Sequence, residues 1–406
     1  MKIAYYLHHS TLKAGGIFTY SIGILKLLIA SPAVDVIYLI HSENQRDYIR
    51  EKFIDPKVRP VEIARFSLLN KARFGLAYLL FDLAFIYGQY NTSRLLRWVK
   101  KLSLLINPYR KVDRLKADIF HVPLQFSPIY GIKTPVLTTM HDVQELHFPD
   151  YFTSGERLHR ALHSKKAMDL SDHVMVSFSH IKADLITYFQ KKPTEISVCP
   201  PPFHTNWFGT ENHTQPGILR QKYALQKDFI LYPAATWQHK NHLRLFEALK
   251  NLNANGHDID LVCTGHQTAY MQELEKYILR EGLSPRISFL GIVPEEDLIG
   301  LYKMARLTVI PTLYEAGSGP LYEAMRYQVP VICSSVTSLP ETMQDPAFLF
   351  DPTNLDEMTK MIGKGWKDED FRKKNMENSI LRMHELSKAD YADAFIKAYQ
   401  TSRKSR

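Results

Sequence analysis

Cysteine is scarce in this chain: Cys199, Cys263 and Cys333 are the only three in 406 residues. They lie 64 and 70 positions apart, no CxxC occurs, and histidine and cysteine never cluster at zinc spacing. A disulfide-stapled scaffold and a zinc ribbon are both excluded. Each cysteine sits in or beside an apolar run, so all three read as buried free thiols suited to a reducing compartment. Long hydrophobic runs are missing too. No apolar stretch reaches about 18 residues, so no transmembrane helix is expected. The opening MKIAYYLHHS has too short an apolar stretch for a secretory signal and meets two histidines, so it reads as a first strand.

What is present is the balance of a folded globular chain, 45% hydrophobic and 23% charged. At about 150 residues per domain the length allows two or three domains. The formal charge is +9, and its location is informative. Between Arg65 and Lys116 there are 11 Lys+Arg, 2 Asp+Glu and nine aromatics, while the rest carries 40 charges of each sign. The excess therefore belongs to one basic, greasy surface. Within it GLAYLLFDLAFIYG is apolar but interrupted by Asp82, which argues against spanning. In the next segment Arg94, Arg97 and Lys101 share one helical face, with Trp98 beside them, and Leu95, Val99, Leu102 and Ile106 share another. An interfacial membrane element needs this combination. A helix pair covering a sheet with its basic face solvated is the other reading. No nucleic-acid-binding motif appears.

Short β-branched runs alternate with helical patterns along the rest. KIAYYL, DVIYLI, DIFHVP, PVLTTMH, HVMVSF, ISVCP, FILYPAA, DLVCTG, ISFLG, LTVIP and PVICS are the candidate strands. Helices are expected between many of them, among them Ile17–Ala30, Asn241–Asn253, Pro294–Met304 and Pro320–Tyr327. This alternation predicts parallel sheets covered by helices, with ligands at the carboxyl ends of the strands. Cys199–Gly217 holds four prolines and two glycines and reads as a linker. It divides the chain into domains at 1–205, carrying the basic insert 65–116, and 217–385, followed by a separate amphipathic helix at 386–406.

The chemistry concentrates in IPTLYEAGSGPLYEAMRYQVPVICSSVTSLPET, 310–342. A strand ends in a loop holding Glu315. Gly317, Gly319 and Pro320 follow, and the first turn of the next helix is expected to carry Glu323, eight residues after Glu315. Backbone N–H groups at that helix start, around Gly319–Leu321, are suited to a phosphate. Glu323 is placed to accept from two ribose hydroxyls, and Glu315 to orient a second polyol. The plainer reading is a helix start with ordinary acidic dipole pairing.

This segment resembles the Glu-x7-Glu signature of retaining GT-B glycosyltransferases, glycosyltransferase family 4. The resemblance runs through most of the chain outside about 45–115. AGGI, with Gly15 and Gly16, follows the first strand as the family's donor loop does. TTMHDVQELHFPDYF matches its strand-His-Asp pattern at His141 and Asp142. YPAATWQHKNHLRLFEAL carries its Lys-Asn pair at Lys240 and Asn241. FLGIVPEEDLIGLY, with Val293, matches the loop near the base. The family implies two Rossmann-like doubly wound domains facing across a cleft, the first binding acceptor and the second the donor. It also implies that the final helix crosses back to the first domain.

In that frame His141, Asp142, Glu315 and Lys240 are the candidate catalytic residues. Gly15, Gly16, Lys240, Asn241, Val293, Gly317, Gly319, Pro320, Leu321 and Glu323 are the candidate donor contacts, and Arg94, Arg97, Trp98 and Lys101 the candidate acceptor or membrane contacts. Lys240 supplies positive charge where the diphosphate leaves. Asp142 is either a proton acceptor or a helix N-cap. Relatives often carry Glu-Gly-Phe-Gly where this chain has Glu315-Ala316-Gly317-Ser318-Gly319. They also often carry an arginine six residues before the lysine, where this chain has Ala234, leaving Arg244 or His239 as substitutes. The formal DxD at Asp258–Asp260 and the acidic run Asp368–Asp370 read as surface charges, and no metal is expected.

The reaction implied is hexosyl transfer with retention from a nucleotide sugar to a glycan, lipid-linked, in surface polysaccharide assembly. GDP-mannose is the expected donor, because the HDVQELHFPDYF and YPAATWQHKNH segments look most like bacterial mannosyltransferases. A UDP-sugar donor, or a non-catalytic nucleotide-sugar-binding subunit, is the alternative. An anionic membrane surface is an expected partner, which places the protein at the cytoplasmic face of the inner membrane.

Overall fold

The computed structural model describes residues 1–7, 15–63, 68–88, 93–106, 108–125, 131–202 and 212–404. Two compact units emerge. The first comprises Met1–Val143, Thr153–Pro202 and Asp390–Arg406; the second comprises Gln144–Phe152 and Phe203–Ala389.

In the first unit, β1 (Lys2–Tyr6), β2 (Val36–Ser42), β3 (Val58–Ile63), β4 (Ile119–Val122), β5 (Val136–Met140), β6 (His173–Val176) and β7 (Ile196–Val198) form one sheet in the order β3-β2-β1-β4-β5-β6-β7. Its pairings are parallel. β4, β5 and β6 are buried at every position, as strands covered on both faces must be. The chain order turns back between β1 and β4, opening a crevice at the strands' carboxyl ends. Gly15 and Gly16 open the helix Gly15–Ala30 that follows β1. The intervening Ala14 of the glycine loop lies outside the described residues.

The C-terminal helix Tyr391–Lys404 belongs to this unit and buries Phe395, Ala398 and Tyr399. Its register is fixed by a polar stack. The Tyr399 hydroxyl lies 2.8 Å from His121 Nδ1, and His121 Nε2 lies 3.0 Å from the Thr139 hydroxyl. Burial pushes the His121 imidazole down to about 3, with His141 adding to the effect.

The basic insert forms the helices Leu68–Gly88 and Arg94–Ile106, packed on each other. Phe74, Ala77, Phe81 and Ala84 of the first are buried, and Phe74 joins the core against Ala4, Ile40 and Phe120 of the sheet. Asp82 Oδ1 accepts from Lys166 Nζ at 2.7 Å, on helix Ser154–Leu170. Leu76, Leu79, Leu83 and Ile86 form a second, exposed apolar stripe. The second helix differs from the expected single apolar face. Leu96, Val99, Ser103 and Ile106 turn inward, whereas Leu95, Trp98, Leu102 and Leu105 are 50–72% exposed. At about 100° per residue, buried face, exposed apolar stripe and basic stripe follow one another around the helix. Arg94, Arg97 and Lys101 thus border bare leucines. No described helix is long and apolar enough to cross a membrane.

The second unit repeats the plan. β8 (Phe229–Pro233), β9 (Asp260–Thr264), β10 (Ile287–Phe289), β11 (Leu307–Ile310), β12 (Val331–Ser334) and β13 (Leu349–Phe350) lie in the order β10-β9-β8-β11-β12-β13. The order reverses between β8 and β11. Its parallel strands are buried among Leu231, Val262, Val309, Ile332 and the helices on either face. The DxD is consumed by ion pairs. Lys227 Nζ lies 2.6 Å from Asp258 Oδ2, and Arg286 reaches both Asp258 and, at 3.0 Å, Asp260. Asp368 caps helix Glu369–Lys388 by accepting from the Phe371 N–H at 2.9 Å. Cys199, Cys263 and Cys333 are buried and free.

Candidate active site

The second unit's site is built where its strand order reverses. Lys240 arrives on the loop after β8 and Glu315 on the loop after β11, so the two come from opposite sides of the crevice. Lys240 Nζ lies 2.6 Å from Glu315 Oε2, with the side chains 17% and 12% exposed. Both loops are stitched down. The Tyr232 hydroxyl, on β8, donates to the Lys240 carbonyl at 2.7 Å. The His239 carbonyl accepts from the Leu313 N–H at 2.7 Å and the Thr312 hydroxyl at 3.0 Å. Asn241 takes a left-handed conformation, φ 61°, and its Nδ2 donates to the carbonyls of Pro311 at 2.9 Å and Pro352 at 3.0 Å. Asn241 therefore ties the loop to the strand ends beyond β11 and β13. Glu315 is held through its backbone: its N–H donates to the Thr337 hydroxyl at 2.9 Å, and its carbonyl accepts from the Ser338 hydroxyl at 2.9 Å.

Glu323 lies in the second turn of helix Gly319–Arg326, one turn later than the sequence spacing implied. Its Oε2 accepts from the Tyr302 hydroxyl at 2.7 Å. Burial raises the Glu323 carboxyl above the usual carboxylate range, against the opposing pull of that hydrogen bond. The helix start offers less than expected. Pro320 has no N–H, and the Ser318 hydroxyl caps the Leu321 N–H at 3.4 Å. Among Gly319, Pro320 and Leu321, Gly319 is the one whose N–H is neither missing nor taken by this cap. Val293 lies in the loop after the edge strand β10, packed against the unit's core.

Neither substitute for the absent arginine supplies a free cation. Arg244 pairs with Glu247 on its own helix at 2.9 Å. Burial, helped by Lys240, pushes the His239 imidazole down to about 3, so it is neutral. Among the described residues no group of three or more His, Cys, Asp or Glu is placed to hold a metal ion.

In the first unit His141 follows β5 at the same carboxyl edge. Its Nε2 lies 3.0 Å from the Pro123 carbonyl, so Nε2 carries the proton. Its backbone N–H donates to Gln125 Oε1 at 3.1 Å. Tyr20 meets the ring edge-on at 4.8 Å. Burial holds the imidazole below its ordinary value, with Pro123 and Asp142 pulling the other way. Nδ1 of the neutral ring is then an acceptor. Asp142 is ion-paired with Arg160 of helix Ser154–Leu170, and the next helix begins only at Gln144.

Several contributors escaped sequence reading. Tyr302 lies in the quoted FLGIVPEEDLIGLY segment, and Thr337 and Ser338 lie in SSVTS, but only the tertiary fold places them on Glu323 and Glu315. Segment Gln144–Phe152 was assigned to the first domain by its place in the chain. It joins the second unit, where His147 and Phe148 set their rings 5.4 and 6.4 Å from that of Tyr314, the neighbour of Glu315.

This architecture has known counterparts. Residues 218–382 match the family described as Glycosyl transferases group 1. Sucrose-phosphate synthase from Thermosynechococcus elongatus superposes with a TM-score of 0.64 at 16% identity, covering 98% of each chain. Anabaena HepE in complex with UDP and glucose superposes at 0.61 with 17% identity, covering 98% of this chain and 97% of that one. The second unit is similar to the glycosyl transferases group 1 family, and the two-sheet architecture is the GT-B fold. Among curated proteins the chain is similar to mannosyltransferases. It is 27% identical to O-antigen chain mannosyltransferase B of Escherichia coli over 76% of this chain and 84% of that protein. It is also 27% identical to the serotype-specific mannosyltransferase WbdA of Escherichia coli, over 46% of this chain and 24% of that protein.

Proposed function

We propose that the protein is a retaining hexosyltransferase that moves mannose from GDP-mannose to a glycan, lipid-linked, in surface polysaccharide assembly. The observation that carries this reading is the Lys240–Glu315 pair spanning the strand-order reversal of the second unit. A nucleotide sugar arriving there brings a diphosphate that draws Lys240 away from Glu315. The lysine then neutralises charge as the sugar–phosphate bond breaks. The freed Glu315 carboxylate, fixed through its backbone, accepts from hydroxyls of the hexose. Glu323 and the Gly319 N–H serve the ribose and phosphate side.

His141, neutral with Nδ1 available, accepts from a sugar hydroxyl. Asp142 reaches a substrate proton only by leaving or sharing Arg160. The reading therefore gives the acceptor's proton to the departing phosphate, with attack on the face the phosphate leaves. Lys240 takes the role that a divalent cation fills elsewhere, so activity is expected to survive EDTA. Mannose and a polysaccharide product are supported by the O-antigen chain mannosyltransferases among the relatives. A UDP-sugar is the second reading for the donor, favoured by the UDP and glucose bound in the HepE structure.

The greasy basic helices supply the meeting place with a lipid-linked acceptor. The stripe Leu95, Trp98, Leu102 and Leu105 enters the acyl boundary of a membrane, while Arg94, Arg97 and Lys101 meet anionic headgroups. On this reading the protein is a peripheral occupant of the cytoplasmic face of the inner membrane.

One experiment tests the whole reading. The pure enzyme is given GDP-mannose, GDP-glucose, UDP-glucose and UDP-galactose in turn, and nucleotide release is measured with and without a mannose-ended acceptor. Acceptor-dependent GDP release, with an α-linked product by NMR, is the expected result. Release from none of the four, or a β-linked product, contradicts it.

A further inference from the structure

The loop from Ala234 to Lys240 carries more than its lysine. It bridges the strand-order reversal and is held on both sides. Toward β9, the Thr268 N–H donates to the Thr236 hydroxyl at 2.7 Å, and the Thr268 hydroxyl donates to the Thr236 carbonyl at 2.6 Å. Gly265, at φ +122°, lets the loop after β9 run so close that a Cβ there would sit 2.8–3.0 Å from the backbone of Ala234 and Ala235. Toward β11, the His239 carbonyl takes the Leu313 and Thr312 donors already described.

Trp237 lies between these two stitches. Its own carbonyl accepts from the Lys240 N–H at 2.9 Å, and its N–H donates to the Ala235 carbonyl at 2.8 Å. The backbone is thus fixed on every side, yet the indole is 52% exposed, while neighbouring Thr236 is 1% exposed. A loop this firmly tied has buried its threonine and left its largest apolar side chain bare, in the same turn as the lysine of the site.

Resting on the function proposed above, we infer that Trp237 is a binding platform for a pyranose ring. The C–H face of a hexose is apolar and weakly positive, the indole face is broad and electron-rich, and the ring's hydroxyls remain free for Glu315. A platform on a pinned loop loses little entropy when it is covered. The same chemistry is presented by the hexose of the donor and by the terminal sugar of the acceptor, so the test separates them.

Tryptophan emission is recorded for the wild-type chain and for Trp237→Phe while GDP, GDP-mannose or α-mannobiose is titrated in. A change with GDP-mannose beyond that with GDP supports a donor-sugar platform, and a change with α-mannobiose alone supports an acceptor-sugar platform. Either must vanish in Trp237→Phe. Emission that responds to neither sugar, or that responds equally in Trp237→Phe, overturns the inference. In kinetics, Trp237→Ala should raise the KM of the stacked substrate about tenfold, with far-UV circular dichroism unchanged. Wild-type KM values in Trp237→Ala beside an active wild-type enzyme overturn the platform and leave the transferase standing. A wild-type protein that turns over no nucleotide sugar overturns both.

Discussion

The two units share one sheet plan and use it differently. Each reverses strand order after its first strand, between β1 and β4 or between β8 and β11. In the second unit that crevice is filled by a charged pair, Lys240 and Glu315. In the first unit the same edge carries a neutral histidine bonded to a carbonyl and an amide. The loops diverge as well. The second unit joins its outermost early strand to the strand across the reversal by a single helix, Glu295–Met304. The first unit inserts two helices that leave leucines and a tryptophan exposed beside arginines. The doubly wound scaffold thus fixes where a ligand sits, and the loops decide which kind. One unit gathers a charged pair at its crevice, and the other spreads apolar and basic groups over an outer surface.

The largest effect should come from removing the charge that distinguishes the second crevice. Lys240→Ala should lower kcat/KM about 10²–10³-fold, with the thermal midpoint little changed because the pair lies at the rim of the core. Lys240→Arg should restore only part of it. Equal activity in Lys240→Ala would erase the contrast between the units. Next comes Tyr302→Phe, which strips the hydroxyl from the buried Glu323 carboxyl. A loss of about tenfold in affinity for the nucleotide is expected, read by calorimetry with GDP, and an unchanged affinity would remove Glu323 from the ribose.

The outer surface of the first unit supplies the third contrast. Reversing Arg94, Arg97 and Lys101 to Glu should abolish flotation with vesicles containing anionic lipid while leaving the thermal midpoint within about 2 °C, as exposed charges contribute little to folding. Equal flotation of both proteins would reduce the helix pair to a cover for the sheet.

The smallest effect concerns pH. Burial holds His121, His239 and His242 down to about 3, while an unfolded histidine titrates near about 6.5. Between those values the unfolded chain takes up protons that the fold refuses. Stability is therefore full above about 6.5 and falls as pH drops toward about 3. His242 is packed among Tyr232, Phe246 and Phe289, with no partner for either ring nitrogen. His242→Phe should flatten the decline in thermal midpoint between pH 7 and pH 5, and an unchanged slope would exclude His242 as a contributor.

Much of this was legible in the residues. β-branched runs gave eleven of the strands because central parallel strands are apolar throughout. Two were missed for physical reasons. β3 is an edge strand holding Arg59, Pro60 and Glu62, which breaks the apolar signature. β13 is only two residues long. Lys240 and Glu315 were each picked out by motif at strand ends, but their ion pair was not. Nor was the role of Tyr302, because a tyrosine inside a helix pattern looks like core until the fold sets it against Glu323. On the helix Arg94–Ile106, periodicity found an apolar arc but did not reveal that only half of it is covered. The placement of Gln144–Phe152 depends on rings meeting Tyr314, which chain order does not encode.

The central claim is that the Lys240–Glu315 pair is the seat of a nucleotide sugar's diphosphate. Calorimetric titration of GDP and GDP-mannose into the wild-type chain and into Lys240→Ala tests it most directly. The account predicts binding of both ligands to the wild type and at least about tenfold weaker binding of both to the variant. Equal affinities in the two proteins would contradict it.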